Sequence, residues 1–189
     1  MMNWQWQNKA DQCKAEGTKI TMVAGPETNL FNSPTGYFKC CNFPFMYTEW
    51  EGDFIALCKV KPEFQTVYDL GSIVVWNQED VWIKFAYEKT DSGNPAIVSV
   101  VISGYSDDCN GPNLEGEVWL QINRKGDVFA LHYSLDGINW LLARICRVSM
   151  DKKVRIGLSV QSPSGKQCKV FFENFELREN TYSNQRKCE

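Results

Sequence analysis

The sequence is poor in histidine and in long hydrophobic runs and has no excess of basic charge, and each shortage excludes a class of function. His132 is the only histidine, so neither a histidine-rich metal site nor a Ser/His/Asp or Cys/His catalytic group is readable. No stretch reaches the roughly 18 apolar residues of a membrane-spanning helix. Twenty basic side chains against 23 acidic ones give a net charge of −3, which argues against binding to nucleic acid or to an anionic membrane.

Signals for export and for a metal site are also missing. Residues 1–9 lack the apolar core of a signal peptide, so a cytoplasmic location with reduced thiols is expected for the eight cysteines. The adjacent Cys40 and Cys41 have no histidine partners for zinc, and no metal site is expected. Residues 107–111 carry oxygen ligands that calcium accepts but lack the spaced carboxylates of an EF-hand loop. A tight turn without a cofactor is therefore predicted there, and whether residues 104–113 bind an ion stays open.

What the sequence has in abundance is alternation of apolar and polar residues. This period of two predicts half-buried antiparallel strands at 81–88, 98–103, 118–123, 129–134, 140–145 and 154–161. Weaker strand patterns lie at 20–23, 37–40, 43–48, 54–61, 67–76 and 169–177. Turn-forming residues at 77–80, 91–95, 125–127, 136–137 and 162–165 predict hairpins between neighbouring strands.

The spacing of these strands predicts an all-β fold. Many short strands with no helical pattern between them are typical of a sandwich of two antiparallel sheets. Residues 25–36 are expected to form a long loop, and no repeat or linker divides the chain. Residues 1–178 are therefore assigned to a single domain, and the polar tail 179–189 is expected to fray.

Three segments read together resemble a known family. They are Tyr68-Asp69-Leu70-Gly71 with the Trp82-Ile83-Lys84-Phe85-Ala86-Tyr87-Glu88 that follows it, Ser99-Val100-Val101-Ile102-Ser103-Gly104-Tyr105-Ser106-Asp107, and Tyr133-Ser134-Leu135-Asp136-Gly137-Ile138-Asn139-Trp140 followed by Arg144. In this order and spacing the chain resembles the regulation-of-enolase protein family, also called the YesU-like family of unknown function. That family belongs to the concanavalin A-like lectin/glucanase superfamily, so the resemblance implies a jelly-roll sandwich of two curved antiparallel sheets. Leu70 and Asp108 depart from the family pattern, where Gln and Trp are frequent.

Strand alternation also separates a polar set of side chains from the core. Its members are Trp82, Lys84, Glu88, Ser103, Trp119, Gln121, His132 and Arg144. The resemblance implies a ligand groove on the concave sheet, and tryptophan rings beside planar polar groups suit a saccharide. Trp82 and Trp119 are expected to stack on the ligand, with Lys84, Glu88, Gln121, His132 and Arg144 as hydrogen-bonding partners. The alternative is an ordinary solvated face, with the tryptophans covered by the 25–36 loop and Arg144 as a structural cation.

Three functions are compatible with this face. The favoured prediction is a non-catalytic protein that binds a carbohydrate or another small polar ligand. A glycosidase-like enzyme is the second, with Glu88 and Glu117 as the outward carboxyl pair, because hydrolysis needs two carboxyl groups at about 5–5.5 Å or about 6.5–9.5 Å. The third is a protein-interaction or regulatory module of carbohydrate metabolism, as the family name suggests. The sequence leaves the ligand, the oligomeric state and the concavity of the polar face open.

Overall fold

The computed structural model describes residues 2–189, apart from the side chain of Ser103. Its strands are β1 Gln5–Gln7, β2 Gln12–Glu16, β3 Lys19–Ala24, β4 Leu30–Asn32, β5 Lys39–Cys41, β6 Phe45–Glu51, β7 Phe54–Glu63, β8 Leu70–Gln78, β9 Val81–Lys89, β10 Pro95–Ser103, β11 Tyr105–Asn113, β12 Val118–Lys125, β13 Val128–Ser134, β14 Leu141–Arg147, β15 Lys153–Gln161 and β16 Cys168–Glu179. None of residues 2–189 is helical, so this part of the chain offers no membrane-spanning helix.

Two seven-stranded antiparallel sheets form a sandwich. Sheet A has the order β1-β6-β15-β8-β9-β10-β11 and sheet B the order β14-β13-β12-β7-β16-β3-β2, while β4 and β5 form a separate two-stranded ribbon. The expected all-β sandwich is confirmed, and the strongly alternating segments coincide with β9, β10, β12, β13, β14 and β15.

The main core lies between the two sheets. Alternate side chains of β9 point into it (Ile83, Phe85 and Tyr87) and meet Leu120 and Ile122 of sheet B. The remaining residues of β9 face the other way, so an alternating strand supplies both sides of its sheet. We call the side of each sheet that faces away from this core its outer face.

A second hydrophobic cluster covers the outer face of sheet A. Residues 25–44, which we call the strap, cross this face and contribute Leu30 and Phe43. The Phe43 ring packs against Phe45 and Trp76 with centroid distances of 5.4 and 5.5 Å. The segment expected to be a loop therefore contains β4 and works as a cover for the sheet.

Two local expectations are wrong, one for residues in an edge strand and one for a connection between the two sheets. Residues 107–111 lie in β11, an edge strand that follows a turn at Gly104 (φ 90°), and they do not form a tight turn. The segment 162–165 connects β15 of sheet A to β16 of sheet B, so it crosses between the sheets and is not a hairpin.

The alternation of β14 is shifted by a bulge. The register against β13 breaks between Leu131 and His132, and such an irregularity exchanges the faces of the residues beyond it. Ile145, expected in the core, therefore lies opposite Ala130 on the outer face of sheet B and is 37% exposed, whereas Leu141 keeps the side of its partner Tyr133 and is 54% exposed at the beginning of β14.

The C-terminal residues are held on the outer face of sheet B and are not frayed. The Asn180 side-chain amide donates to the Arg124 carbonyl (2.7 Å), and Lys125 Nζ donates to the Tyr182 carbonyl (3.1 Å). Hydrogen bonds from Gln121 and His132 reach residues 186 and 188. The tail therefore covers sheet B much as the strap covers sheet A.

A close approach of two strands gives a stability test. A Cβ atom at Gly157 would overlap the Met46 carbonyl oxygen and lie 2.6 Å from Tyr47 Cα. Because backbone cannot move as a side-chain tip can, we expect Gly157→Ala to lower the free energy of unfolding by about 3 kcal/mol. Urea denaturation measures this change. Gly116→Ala is the control: its Cβ meets nothing within 4 Å, and its φ of 81° should cost about 1 kcal/mol. Equal losses in the two variants would contradict the close approach.

Candidate functional site

The strap is fixed to sheet A by side chains that bind its backbone. The Leu30 N–H donates to Gln161 Oε1 (2.9 Å), and Lys84 Nζ donates to the Leu30 carbonyl oxygen (2.9 Å). Two residues later, the Asn32 N–H donates to Ser106 Oγ (3.0 Å). Gln161, Lys84 and Ser106 are all buried, so the strap satisfies polar groups that would otherwise be buried without partners.

Between the strap and sheet A lies a cavity of about 830 Å³, which we call the outer pocket. Polar groups that line it are the carboxyls of Glu27, Glu88, Asp91 and Asp108, the ammonium of Lys84 and the amides of Asn29, Asn42 and Asn110. Aromatic rings of Phe31, Phe38 and Tyr68 complete much of the wall. Its size and its mixture of ring faces with planar polar groups are those of a small-molecule site.

Strand register explains why these charged residues line the same cavity. Lys84 lies opposite Val100, and Val100 lies opposite Asp108, so β9, β10 and β11 form one row across the sheet. Glu88 shares the outer face of β9 with Lys84, because four residues along a strand return to the same side. Sheet A thus places both carboxyl groups and the ammonium in one pocket.

The carboxyl group of Glu88 is the most unusual group in the pocket. The residue is 9% exposed, and its carboxyl group makes no hydrogen bond or ion pair with any residue that the structure describes. Burial raises the pKa of Glu88 to about 7, against the opposing effect of Lys84, while Asp108 and Asp91 raise it further. Glu88 can therefore exchange a proton near neutral pH.

Lys84 and Asp108 respond to the same surroundings. Burial lowers the pKa of Lys84, with Glu88 and Asp108 opposing that effect. Asp108 is exposed as a residue, yet partial desolvation raises the pKa of its carboxyl group, with Lys84 opposing. The three groups are electrostatically coupled, so a ligand that binds one of them changes the protonation of the others.

The Tyr-Asp-Leu-Gly motif builds one side of the pocket. Tyr68 lines it with a φ of 69°, a backbone conformation that is uncommon for aromatic residues and concentrates at functional sites. The buried Asp69 carboxylate holds the neighbouring loop by accepting hydrogen bonds from the Thr66 N–H and from Ser162 Oγ (2.9 and 2.8 Å). Gly71 admits sheet B closely, since a Cβ there would lie 2.5 Å from Val170 Cγ1.

The prediction of one common polar face is wrong. Trp82, Lys84 and Glu88 lie on the outer face of sheet A, whereas Trp119, Gln121 and His132 lie on the outer face of sheet B. Alternation assigns a residue to one side of its own strand but does not say which sheet the strand joins. The side chain of Ser103, also expected on this face, lies outside the described residues.

Trp82 does not offer a free ring face. It is 1% exposed in the second hydrophobic cluster, and its Nε1–H donates to the Glu79 carbonyl oxygen (3.1 Å). Its expected role as an exposed stacking plate is corrected, because the strap covers this face. Phe31, Phe38 and Tyr68 supply the rings of the pocket wall instead.

On sheet B the tail and a turn cover the expected ligand residues. Gln121 Nε2 donates to Cys188 Sγ (3.1 Å), and His132 Nε2 lies 3.2 Å from the Arg186 carbonyl oxygen. Burial lowers the pKa of His132. The Trp119 ring packs on the 134–137 turn, close enough that a Cβ at Gly137 would lie 2.8 Å from Trp119 Cε2. Ligand binding by these residues would require the tail to leave.

Arg144 and Glu117 also lie away from the outer pocket. Arg144 joins the edges of the two sheets, with an ion pair to Asp107 Oδ2 (3.1 Å) and a hydrogen bond to the Asp107 carbonyl oxygen (3.2 Å). Glu117 pairs with Lys59 on sheet B (3.0 Å), beside a smaller cavity of about 230 Å³. The expected pair of Glu88 and Glu117 is therefore divided between sheets, and Asp108 is the other carboxyl residue of β9 to β11 that lines the outer pocket with Glu88.

Sequence reasoning missed most of the pocket wall. Asp108 and Asn110 alternate with Asp107 and Cys109 on β11, but this strand has no apolar phase to reveal which side faces the pocket. Asn29, Phe31, Phe38 and Asn42 belong to the strap, whose position depends on contacts with distant strands. The signal that could have found them is the aromatic and amide content of the strap, of which residues 25–36 were expected to form a loop and residues 37–40 a strand.

The chemistry of metals and disulfides is little represented. Within residues 2–189 no group of three or more His, Cys, Asp and Glu side chains has an arrangement suited to a metal ion. All eight cysteines are unpaired.

Comparison with known proteins identifies relatives along most of the chain. The family described as "Protein of unknown function (DUF1349)" matches residues 6–180. The chain is 25% identical over 175 residues to "Regulation of enolase protein 1" of Saccharomyces cerevisiae, covering 91% of this chain and 87% of that protein. The resemblance inferred from the sequence motifs is confirmed.

Solved structures show the same fold. A functionally unknown protein from Saccharomyces cerevisiae has a TM-score of 0.88 at 23% identity, covering 93% of this chain and 96% of that chain. The carbohydrate binding module CBM66 from Bacillus subtilis has a TM-score of 0.63 at 10% identity, covering 95% and 97%. A mutant of the GH43 protein BlXynB from Bacillus licheniformis has a TM-score of 0.76 at 15% identity, and 94% of this chain matches 37% of that one.

The anchoring of the strap can be tested at one side chain. We expect Gln161→Ala to speed hydrogen exchange of the Leu30 amide at least about tenfold, because the amide loses its buried acceptor. Residue-resolved exchange by NMR measures this rate. Gln121→Ala is the matched control, since Gln121 is also fully buried but contacts the tail on sheet B. An unchanged Leu30 rate in Gln161→Ala would contradict the anchoring.

The raised pKa of Glu88 predicts a pH-dependent stability difference. Its pKa is about 7 in the folded chain against an ordinary 4.5, so folding binds a proton between these values and Glu88 weakens stability progressively as pH rises through that window. We expect Glu88→Gln to gain up to about 3 kcal/mol relative to the parent between pH 4.5 and 7, and little more above. Urea unfolding at pH 4.5, 6, 7 and 8 checks this, and a difference independent of pH would contradict it.

Proposed function

The chain belongs to the DUF1349 family of proteins of unknown function, and from that premise we propose that it binds a carbohydrate-like ligand in the outer pocket without transforming it. The observation that carries this proposal is the roofed cavity of about 830 Å³ that combines three aromatic rings with amide and carboxyl groups. Because the strap forms the roof, a ligand can be gripped from two sides.

The pocket wall matches the two kinds of surface on a saccharide. Sugar rings present C–H faces that pack on aromatic side chains, and Phe31, Phe38 and Tyr68 offer such rings. Hydroxyl groups both donate and accept hydrogen bonds, as do the side-chain amides of Asn29 and Asn110. A pocket of this volume lies in the ordinary range for small ligands, about 300–1,000 Å³.

The structural neighbours support a carbohydrate ligand at the level of the fold. One of them is a carbohydrate binding module that this chain matches over nearly its full length, with a TM-score of 0.63. At a sequence identity of 10%, no binding residue of that module can be assigned to a residue of this chain. The proposal therefore depends on the composition of the outer pocket, and the neighbour adds that the sandwich is suited to such ligands.

A glycosidase-like activity is the second candidate, and Glu88 is the observation that favours it. A carboxyl group with a pKa of about 7 can remain protonated and donate to a leaving oxygen. Asp108 would then act as the second carboxylate. Burial raises the pKa of Asp108 as well, which weakens the contrast between acid and base that such catalysis uses. Binding is therefore favoured, and measurement of reducing ends released from a bound oligosaccharide distinguishes the two.

A regulatory role for the bound state is consistent with the relative named for regulation of enolase. A module that recognises a sugar without consuming it can report its concentration to a protein partner. A reducing compartment such as the cytoplasm fits the eight unpaired cysteines, of which Cys13 and Cys109 are exposed.

Two adjacent aromatic residues provide a matched test of the pocket. We expect a panel of mono- and oligosaccharides to contain a class that raises the Tm of the parent by a few degrees at ten times its Kd. Phe38→Ala should reduce this shift, because Phe38 lines the pocket. Tyr37→Ala should preserve it, because Tyr37 is 94% exposed and does not belong to the described pocket wall.

Two results of this panel would count against the proposal. If no saccharide shifts the Tm of the folded parent, binding of a carbohydrate in the pocket is wrong. If the shift survives Phe38→Ala and is lost in Tyr37→Ala, the ligand binds at the tip of the strap and not in the cavity.

A further inference from the structure

Acidic side chains outnumber basic ones in the lining of the outer pocket. A neutral saccharide would not compensate this negative charge. Four carboxyl groups line it, those of Glu27, Glu88, Asp91 and Asp108, and Lys84 is the one basic side chain among the described lining residues. The whole chain has a net charge of only −3, so its acidic excess is concentrated at this site. A cavity lined by one sign of charge attracts ligands of the opposite sign.

The ammonium group of Lys84 already binds a backbone group of the protein. Its Nζ donates to the Leu30 carbonyl oxygen at 2.9 Å, and the residue is 3% exposed beneath the strap. Within the described residues no carboxyl oxygen lies within ion-pair distance of this ammonium. Lys84 anchors the strap and does not neutralise the carboxyl groups directly.

Glu88 is a largely buried residue whose carboxyl group lines the cavity. It is nine-tenths buried at the wall of the cavity, and the described residues offer its carboxyl group no hydrogen-bond donor. A buried carboxyl group is normally paired or hydrogen-bonded, because desolvation of an unpaired charge is costly. A donor that carries positive charge and arrives with the ligand would satisfy it with a strong, charge-assisted hydrogen bond.

The surrounding groups distinguish between kinds of cation. The described residues contain no group of three or more His, Cys, Asp and Glu side chains arranged for a metal ion. The rings of Phe31, Phe38 and Tyr68 line the same cavity, and aromatic faces attract organic ammonium groups. Carboxylates beside aromatic rings are therefore better suited to an amine than to a metal.

We propose that the outer pocket selects ligands that carry a protonated amine, and that among saccharides it prefers amino sugars, with the ammonium placed against Glu88 and Asp108. This inference rests on the proposed function and specifies its ligand class. Phe38 and Tyr68 pack on the sugar ring, and the amides of Asn29 and Asn110 bind its hydroxyl groups.

Proton release accompanies this binding. Unoccupied, Glu88 is partly protonated at pH 7 because its pKa is about 7. The charged groups around it are Lys84, Asp108 and Asp91, with Glu27 on the opposing strap. A bound ammonium adds positive charge beside the carboxyl group and lowers its pKa, so a proton leaves as the ligand enters.

The test compares sugars that differ only at one substituent. Isothermal titration at pH 7 measures binding of the full chain to chitosan oligosaccharides and to chitin oligosaccharides of the same length. Chitosan carries an amine where chitin carries a neutral amide. We expect the amine form to bind about tenfold more tightly, the ratio that one charge-assisted hydrogen bond provides. Titration with butylammonium, an alkyl amine that like the lysine side chain is fully protonated at pH 7, in two buffers of different ionisation enthalpy measures the released proton without proton uptake by the ligand.

Isosteric variants assign the effect to the pocket. Glu88→Gln and Asp108→Asn should each reduce the preference for the amine, and Glu88→Gln should also abolish proton release. Glu49→Gln is the matched control, since Glu49 lies on β6 and pairs with Lys153 outside the pocket (2.7 Å). It should retain both the preference and the proton release.

The other outcomes separate this inference from the proposed function. Equal or tighter binding of the chitin form overturns the amine preference and leaves carbohydrate binding in place. Binding of butylammonium that depends on Glu88, with no saccharide bound, supports the amine preference and overturns the carbohydrate proposal. Stabilisation by calcium that depends on Glu88, with no response to amines, overturns the inference in favour of a metal.

Discussion

The two hydrogen bonds that hold the Leu30 peptide to sheet A determine whether an outer pocket exists. Gln161 accepts from its N–H, and Lys84 donates to its carbonyl oxygen. Both side chains are buried, so removal of the strap would leave a desolvated amide and a desolvated ammonium without their partners. The same strap closes the second hydrophobic cluster with Leu30 and Phe43. The hydrogen bonds of the Leu30 backbone and the burial of the Leu30 and Phe43 side chains therefore favour the same position of the strap. The cavity is the space that remains beneath it.

A segment of the chain covers each outer face of the sandwich, but the two segments leave different amounts of space beneath them. The tail lies on sheet B and forms hydrogen bonds with Gln121 and His132, while a turn packs on Trp119. This leaves few polar atoms without partners, among them Asn123 Oδ1 within the described residues. The strap on sheet A instead leaves a cavity of about 830 Å³ with the Glu88 carboxyl group at its wall. The candidate site therefore lies on sheet A, even though both sheets carry polar residues at alternating positions.

The fold was largely predictable from the sequence, and the site only in part. Alternation located β9, β12 and β15 because one phase of each is apolar, and it placed Lys84 and Glu88 on one side of β9. It could not assign strands to sheets, which depends on contacts distant in sequence, so Gln121 and His132 were grouped with residues of the other sheet. It offered cover of Trp82 by residues 25–36 only as an alternative, and the structure confirms that alternative for Trp82. Asp108 was missed for a third reason, because an edge strand buries little and has no apolar phase to detect.

The polar composition of β11 also affects the free edge of sheet A. β11 ends sheet A and has unpaired backbone groups along its free side, which makes an edge strand a template for pairing with another chain. Its sequence, Tyr-Ser-Asp-Asp-Cys-Asn-Gly-Pro-Asn, carries adjacent charges and a proline, and Arg144 from sheet B clasps its Asp107. These features resist the addition of a further strand and so discourage aggregation. The polar composition that gives β11 no apolar alternation is thus the same composition that disfavours pairing of another chain with this wall of the pocket.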